Sequence, residues 1–326
     1  MTMGAPSSLS GVIVVDKPEG ITSFRVVSII RRLTGVKKVG HCGTLDPFAT
    51  GVLPVCVGSA TRVIRYMEKY DKVYRCTARF GKFSETQDKD GTLFGGRKPT
   101  DSEKQEMHST DFRELRRLFD GLVGKRSQIP PAYSAIKIAG RPAYDYARKG
   151  IEVELAPRNI EIFSCTIHSI NFEEELEVDF SVHCSKGTYI RSLCHELGEK
   201  TGFGAYATNL RRTQCGDFDL ASAYSLEELE EASKAGELNK MMLPDIECVK
   251  SLPVLAVTQV EAGKIRLGKK LPLIDFDGRI AASNADGTMD ATRYRAMLGD
   301  RLIAVVYPEY VEDNGVLRIE RMLDIL

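Results

Sequence analysis

Apolar residues along this chain change spacing several times, and each change predicts an element. Gly11-Val12-Ile13-Val14-Val15-Asp16 is an unbroken β-branched run that predicts a buried strand, closed by the turn-forming Lys17-Pro18-Glu19-Gly20. Thr22 or Ser23 can cap a helix whose Val26, Ile29, Ile30 and Leu33 share one face. Val52 to Gly58 is a second apolar run, and Ser59 to Glu68 reads as helical. Partial alternation over Lys72 to Phe80 predicts a strand with one wetter face, followed by a turn from Gly81 to Gly91. Residues 95–110 are polar and read as a surface loop. Thr110 or Asp111 then caps a helix with Phe112, Leu115, Leu118 and Phe119 inward and Glu114 in its first turn.

Arg158 to Ile162 opens a strand-rich block. Within it Leu176, Val178, Phe180 and Val182 alternate with Glu177, Asp179, Ser181 and His183, as in a half-buried strand. From about Leu252 the character changes. Pro253 to Val257 predicts a short strand, Gln259 to Leu267 a helix ending at Gly268, and strands follow around Ile280, Ile303 to Tyr307 and Val316 to Ile319. Asp313-Asn314-Gly315 has the chemistry of a hairpin turn. The pattern divides the chain into a large domain, 1–250, and a small β-rich domain, 251–326.

Composition narrows the class. With 43% hydrophobic and 28% charged residues, the 326-residue chain can bury a sizeable core. Lys plus Arg equals Asp plus Glu at 45 each, so any nucleic-acid surface must come from local segregation of charge. One such segment exists. Arg25, Arg31, Arg32, Lys37 and Lys38 fall between Gly20 and Leu45 without an acid, and suit either a solvated helix face or phosphate contact. The eight cysteines form no CxxC pair, which favours free thiols in a reducing compartment over zinc or disulfides. No long apolar span or signal-peptide pattern is present, so the expected location is the cytoplasm. Thr86, Asp88 and Asp90 mimic half a calcium loop, but the glutamate of position 12 is missing and calcium is rejected.

The candidate chemistry lies in Gly40-His41-Cys42-Gly43-Thr44-Leu45-Asp46-Pro47-Phe48-Ala49-Thr50-Gly51. Its glycines and proline impose special backbone geometry around one carboxylate, Asp46. Alone, Asp-Pro in a glycine-rich run is an ordinary turn. Further on, Tyr133, Lys137, Arg141, Tyr144, Tyr146 and Arg148 interleave aromatics with bases, a mixture suited to non-duplex RNA or to a partner protein.

Read whole, GHCGTLDPFATGVLPVCVG resembles the catalytic loop of the bacterial tRNA pseudouridine-55 synthases, the TruB family. The resemblance continues through DKPEGITS, Lys72-Val73-Tyr74, the segment QIPPAYSAIK with Gly140, Tyr144, Ala147 and Arg148, then GTYIRSL, and Leu210-Arg211-Arg212-Thr213. It departs at Ile21 and Phe24, at Cys42 where threonine is common, and at Cys194-His195-Glu196, which keeps only the acid of a usual Ala-Arg-Asp.

The resemblance implies an α+β pseudouridine synthase fold: a mixed, mostly antiparallel sheet flanked by helices, then a small PUA-like RNA-binding domain. A thumb-like RNA-binding segment would span about 128–150. Asp46 would be the catalytic nucleophile, Arg191 its ion-pair partner, and Tyr74 the ring stacked on the target base. His41 would insert where the flipped base had been, Asp88 and Tyr189 would lie near the target nucleotide, and Leu210 would wall the pocket. Lys17 and Pro18 would be structural, and Arg211 or Arg212 a structural or phosphate contact.

The implied reaction isomerises a uridine in the T-loop of tRNA. It needs a carboxylate nucleophile, a closed pocket and a final base, but no metal, nucleotide or redox cofactor and no obligatory protein partner. Flipping the target from its stack typically costs a few kcal/mol. Two rivals remain: a synthase working inside a guide-RNA particle, and a non-catalytic tRNA-binding or tRNA-folding protein.

Overall fold

The computed structural model describes residues 9–138, 140–276, 278–280, 292–311 and 314–324. The chain starts β1 (Gly11–Lys17), α1 (Ser23–Thr34), β2 (Val39–His41), β3 (Thr50–Val57), α2 (Ile64–Met67) and β4 (Lys72–Phe80). A small ribbon, β5 (Phe83–Ser84) and β6 (Leu93–Phe94), precedes α3 (Asp101–Ser109) and α4 (Arg113–Asp120). Next come β7 (Gly124–Gln128), the ribbon β8 (Lys137–Ile138) and β9 (Arg141–Pro142), and α5 (Ala143–Ala147). The hairpin β10 (Arg158–Asn171) and β11 (Glu177–Cys184) leads to α6 (Ile190–Thr201), β12 (Ala205–Cys215), β13 (Phe218–Asp219) and α7 (Leu226–Lys234). The remainder is β14 (Val254–Ala256), α8 (Gln259–Arg266), β15 (Leu271–Pro272), β16 (Tyr294–Leu298), β17 (Arg301–Val311) and β18 (Asn314–Met322).

The main sheet runs β1-β3-β12-β4-β11-β10-β7, with β2 beside β3 and β13 beside β12. Every pairing is antiparallel except that of β12 with β3, whose ladder consists of Arg211–Thr50 and Arg212–Gly51. One face, including Ile13, Leu53, Ala78, Phe180 and Val182, packs under α1, α4, α6 and α7. Val12, Val14, Val52 and Cys56 on the other face meet Met67, Cys248 and, from the second sheet, Met297 and Val305. That second sheet, β14-β16-β17-β18-β15, has its own core around Leu255, Ile265, Phe276 and Val306. The fold is thus α+β, a mixed, mostly antiparallel sheet with helices and a small β-rich unit after it.

Four local expectations need correction. Residues 95–110 are not all loop: Thr100 and Glu103 form a reciprocal capping box that starts α3, a helix with no buried residue and so no apolar period to read. Neither Thr110 nor Asp111 caps α4. Phe112 precedes it in left-handed conformation, φ 54°, and the Thr110 hydroxyl donates back to the Glu106 carbonyl at 2.9 Å. Residues 58–63 form a 3-10 turn, and only Ile64–Met67 is α-helical. Ile280 is not in a strand; its N–H donates to the Phe276 carbonyl. Of the expected hairpin turn Asp313-Asn314-Gly315, Asp313 lies outside the described residues, while Asn314 and Gly315 already pair in β18, opposite Val311 and Tyr310.

Candidate active site

Asp46 sits on the loop joining β2 to β3, and neighbouring elements fix that loop from several sides. The Ser23 hydroxyl, at the start of α1, donates to the Leu45 carbonyl at 3.1 Å and accepts from the Leu45 N–H at 2.9 Å. The Gly20 N–H and the Lys17 ammonium both donate to the Pro47 carbonyl, at 2.9 and 3.1 Å. Lys17 is wholly buried and donates also to the carbonyls of Pro18 and Ile21. Burial lowers its pKa to about 8, against the pull of Asp46 and Glu19. Just past the loop, Gly51 is the second residue of β3, where φ is +102° and a Cβ would lie 2.2 Å from the Arg212 carbonyl oxygen. Only glycine fits there.

Arg191, in the first turn of α6, carries the opposite charge. Its side chain is only 3% exposed, and its Nε lies 2.9 Å from Asp46 Oδ2. The rest of the guanidinium is spoken for: Nη1 donates to the Thr86 carbonyl at 2.6 Å and approaches Asp88 Oδ2 at 3.4 Å, and Nη2 donates to the Tyr133 carbonyl at 3.0 Å. The planar fork therefore has one orientation, and Asp46, with 34% of its side chain exposed, remains reachable.

This ion pair lines two cavities. The first, about 370 Å³, is also lined by Tyr74, Tyr189, Leu210, Lys72 and Arg212. The second, about 590 Å³, is also lined by His41, Asp88, Phe24, Tyr133, Tyr144 and Arg148. The structure so brings Asp46, Arg191, Tyr74, Tyr189 and Leu210 together, and sets His41 and Asp88 on the second cavity.

Electrostatics differ between the groups. Burial raises the Tyr74 phenol to about 12 although the nearby Arg212 opposes it, so the hydroxyl keeps its proton at neutral pH. Burial also raises Tyr189. Asp88, 5% exposed, is raised by burial against its Thr86 and Arg191 partners. Burial and Arg212 lower His41, whose Nδ1 has no hydrogen-bond partner among the described residues. Arg212, which also lines the first cavity, is 1% exposed and donates to the carbonyls of Val52 and Gly43 at 2.7 and 3.0 Å. Arg211 pairs with Asp16 at 2.6 Å. His195 stands 3.8 Å from Glu199 and outside both cavities.

From sequence, Gln128 opens only the thumb-like RNA-binding segment, and Lys72 and the Thr86 and Tyr133 carbonyls carry no role of their own. Lys72 stood in the motif with Tyr74, which was its signal; carbonyls leave none.

The N-terminal domain model of the TruB family pseudouridylate synthases matches residues 31–190, and the tRNA pseudouridylate synthase B C-terminal domain model matches 191–249. The tRNA pseudouridine synthase B of Geobacter sulfurreducens is 42% identical over 80% of this chain and 82% of its own. That of Lactococcus lactis is 35% identical over 97% and 99%. The chain belongs to the TruB family of pseudouridine synthases. A solved Cbf5-Nop10-Gar1 complex contains a chain that is similar in fold, with a TM-score of 0.71, 25% identity, and coverage of 97% of this chain and 85% of that one. In this TruB-family chain the junction between the two models, 190/191, falls at Arg191 itself. The second model contributes α6 and β12, the centre of the main sheet, and the small sheet lies beyond both. Among the described residues no group of three His, Cys, Asp or Glu could hold a metal, and no helix is long and apolar enough to cross a membrane.

Proposed function

We propose that this enzyme isomerises uridine to pseudouridine in the T-loop of tRNA, at position 55, with Asp46 as the nucleophile. The observation that carries the reading is the 2.9 Å pair of Asp46 with Arg191 at the wall of a 370 Å³ cavity shared with Tyr74 and Leu210. The reaction must break the N1–C1′ bond, turn the uracil while it is detached and join C5 to C1′, with the C5 proton lost to solvent and one gained at N1. Asp46 supplies the carboxylate that attacks the nucleoside, and its bond to the substrate breaks again as the product forms. Arg191 aims it. Tyr74 offers a ring face to the uracil, and Leu210 closes an apolar side, so the free base is retained and reoriented without leaving. Substrate and product are isomers, so no co-substrate is consumed. Tyr189 borders the same space, while His41 and Asp88 serve nucleotides around the target from the second cavity. The enzyme works on tRNA without an obligatory protein partner.

The test is an assay on a T-stem-loop RNA and on full tRNA, mapping pseudouridine at single-nucleotide resolution for wild type and Asp46→Asn. Modification of the single T-loop uridine by wild type alone, with RNA binding kept by the variant, is the expected result. Binding without modification by wild type would move the assignment to an RNA-binding protein or to a guide-dependent synthase.

A further inference from the structure

Phe24 breaks the logic of its helix. The inner face of α1 buries Val26, Val27 and Ile30, yet Phe24, in the first turn, is 69% exposed. One exposed ring is ordinary on a protein surface; what sets Phe24 apart is where it stands. Its position is not loose: the turn that carries it is capped by Thr22 and locked through Ser23 to Leu45, the residue before Asp46. Phe24 also lines the second cavity, where Asp46 and His41 form one part of the wall and Tyr144, with Arg148 over its ring at 5.4 Å, another. A ring carried on a fixed turn, with no ring partner among the described residues, at a cavity bordering a nucleophile has the properties of a base-stacking platform.

We propose that Phe24 stacks on a base flanking the target uridine and holds that neighbour in the second cavity while the target occupies the first. This deepens the proposed function and rests on it. Because the ring contributes little to the folded core, its loss weakens RNA binding without unfolding the protein. By the usual worth of one base–aromatic stack, Phe24→Ala should weaken binding of a T-stem-loop roughly 10-fold, and Phe24→Tyr should restore it.

The chain contains no tryptophan, so Phe24→Trp introduces a single indole at this site. In the Asp46→Asn background, which blocks turnover, its fluorescence should be quenched as the T-stem-loop RNA saturates the protein. The quench should vanish with an RNA that is abasic at one of the two flanking positions. Indole emission unchanged at saturation, a quench that survives both abasic RNAs, or Phe24→Ala binding within two-fold of wild type would each overturn the proposal. Wild-type conversion of the same RNA is measured alongside. If wild type converts the RNA and the indole is silent, only the stacking proposal fails; if it neither binds nor converts, the underlying reading fails and takes this one with it.

Discussion

Gln128 and Tyr189 exchange two hydrogen bonds. The Gln128 amide oxygen accepts from the Tyr189 N–H at 2.8 Å, and its amide nitrogen donates to the Tyr189 carbonyl at 3.0 Å. Tyr189 immediately precedes α6 and offers no side-chain cap; the last residue of β7 instead fixes the backbone at which the helix begins. Gln128→Ala should cost about 1–3 kcal/mol, because it strands the N–H of a half-buried residue and removes one of the two donors to its carbonyl, the other being the Leu193 N–H. Gln128→Glu can satisfy only the N–H. Denaturant unfolding of the three proteins checks this; equal stability of Ala and wild type would show that the pair contributes nothing. Turnover should fall in the same order, since Arg191 follows two residues later.

Arg191→Lys keeps the charge and loses the fork. One ammonium cannot reach Asp46, Thr86 and Tyr133 together in the geometry that the guanidinium uses. Single-turnover pseudouridine formation should drop about 100-fold or more, while RNA affinity stays within a few-fold. A rate near wild type would remove Arg191 from the positioning role.

Gly51→Ala places a methyl group 2.2 Å from a backbone oxygen at a positive φ. Strain of this kind costs about 1–3 kcal/mol before the clash is counted. The expected result is a lower Tm with loss of activity, or no folded protein at all. Gly35→Ala, also at positive φ but with open space around it, should be clearly milder.

Lys17 gives a pH signature. Its pKa falls to about 8 in the folded protein from 10.5, so between those values the unfolded chain holds the extra proton. Stability therefore gains a contribution that rises with pH across that window and is flat below it. In Lys17→Met this slope should disappear, although the variant is less stable at pH 7 because the Pro47 carbonyl has lost one of its two donors. Unfolding free energies from pH 7 to 10.5 for both proteins decide it: equal slopes would contradict the assignment.

Legibility in the sequence followed the physics of burial. β11 was readable because Val178, Phe180 and Val182 are buried while Glu177, Asp179, Ser181 and His183 are wetter, and Asp179 and Glu177 pair with Arg75 and Arg79 on β4. α3 was not, because it buries nothing; only Thr100 and Glu103 marked it. β12 hid for the opposite reason. It is a central strand, yet it carries Asn209, Arg211, Arg212 and Gln214, which look like surface residues until the carbonyls around Arg212 are seen. Asp46 and Arg191 were united in advance by resemblance, not by pattern. No periodicity predicts that a loop carboxylate and a helix arginine from distant parts of the chain will meet at 2.9 Å.

The placement of β12 has a consequence for the chain during synthesis. β3, which follows the Asp46 loop, and β4, which carries Tyr74, are never neighbours; β12 is inserted between them, parallel to one and antiparallel to the other. A nascent chain that has emerged only as far as β11 can pair β1 with β3 and β4 with β11, but the two halves lack their common strand. Arg212, which anchors the loop at Gly43 and Val52, arrives on that same strand. The pocket is therefore among the last parts of the main sheet to close, after the strands on either side have formed. A partly made enzyme can hold the nucleophile and the tyrosine, but not the space between them.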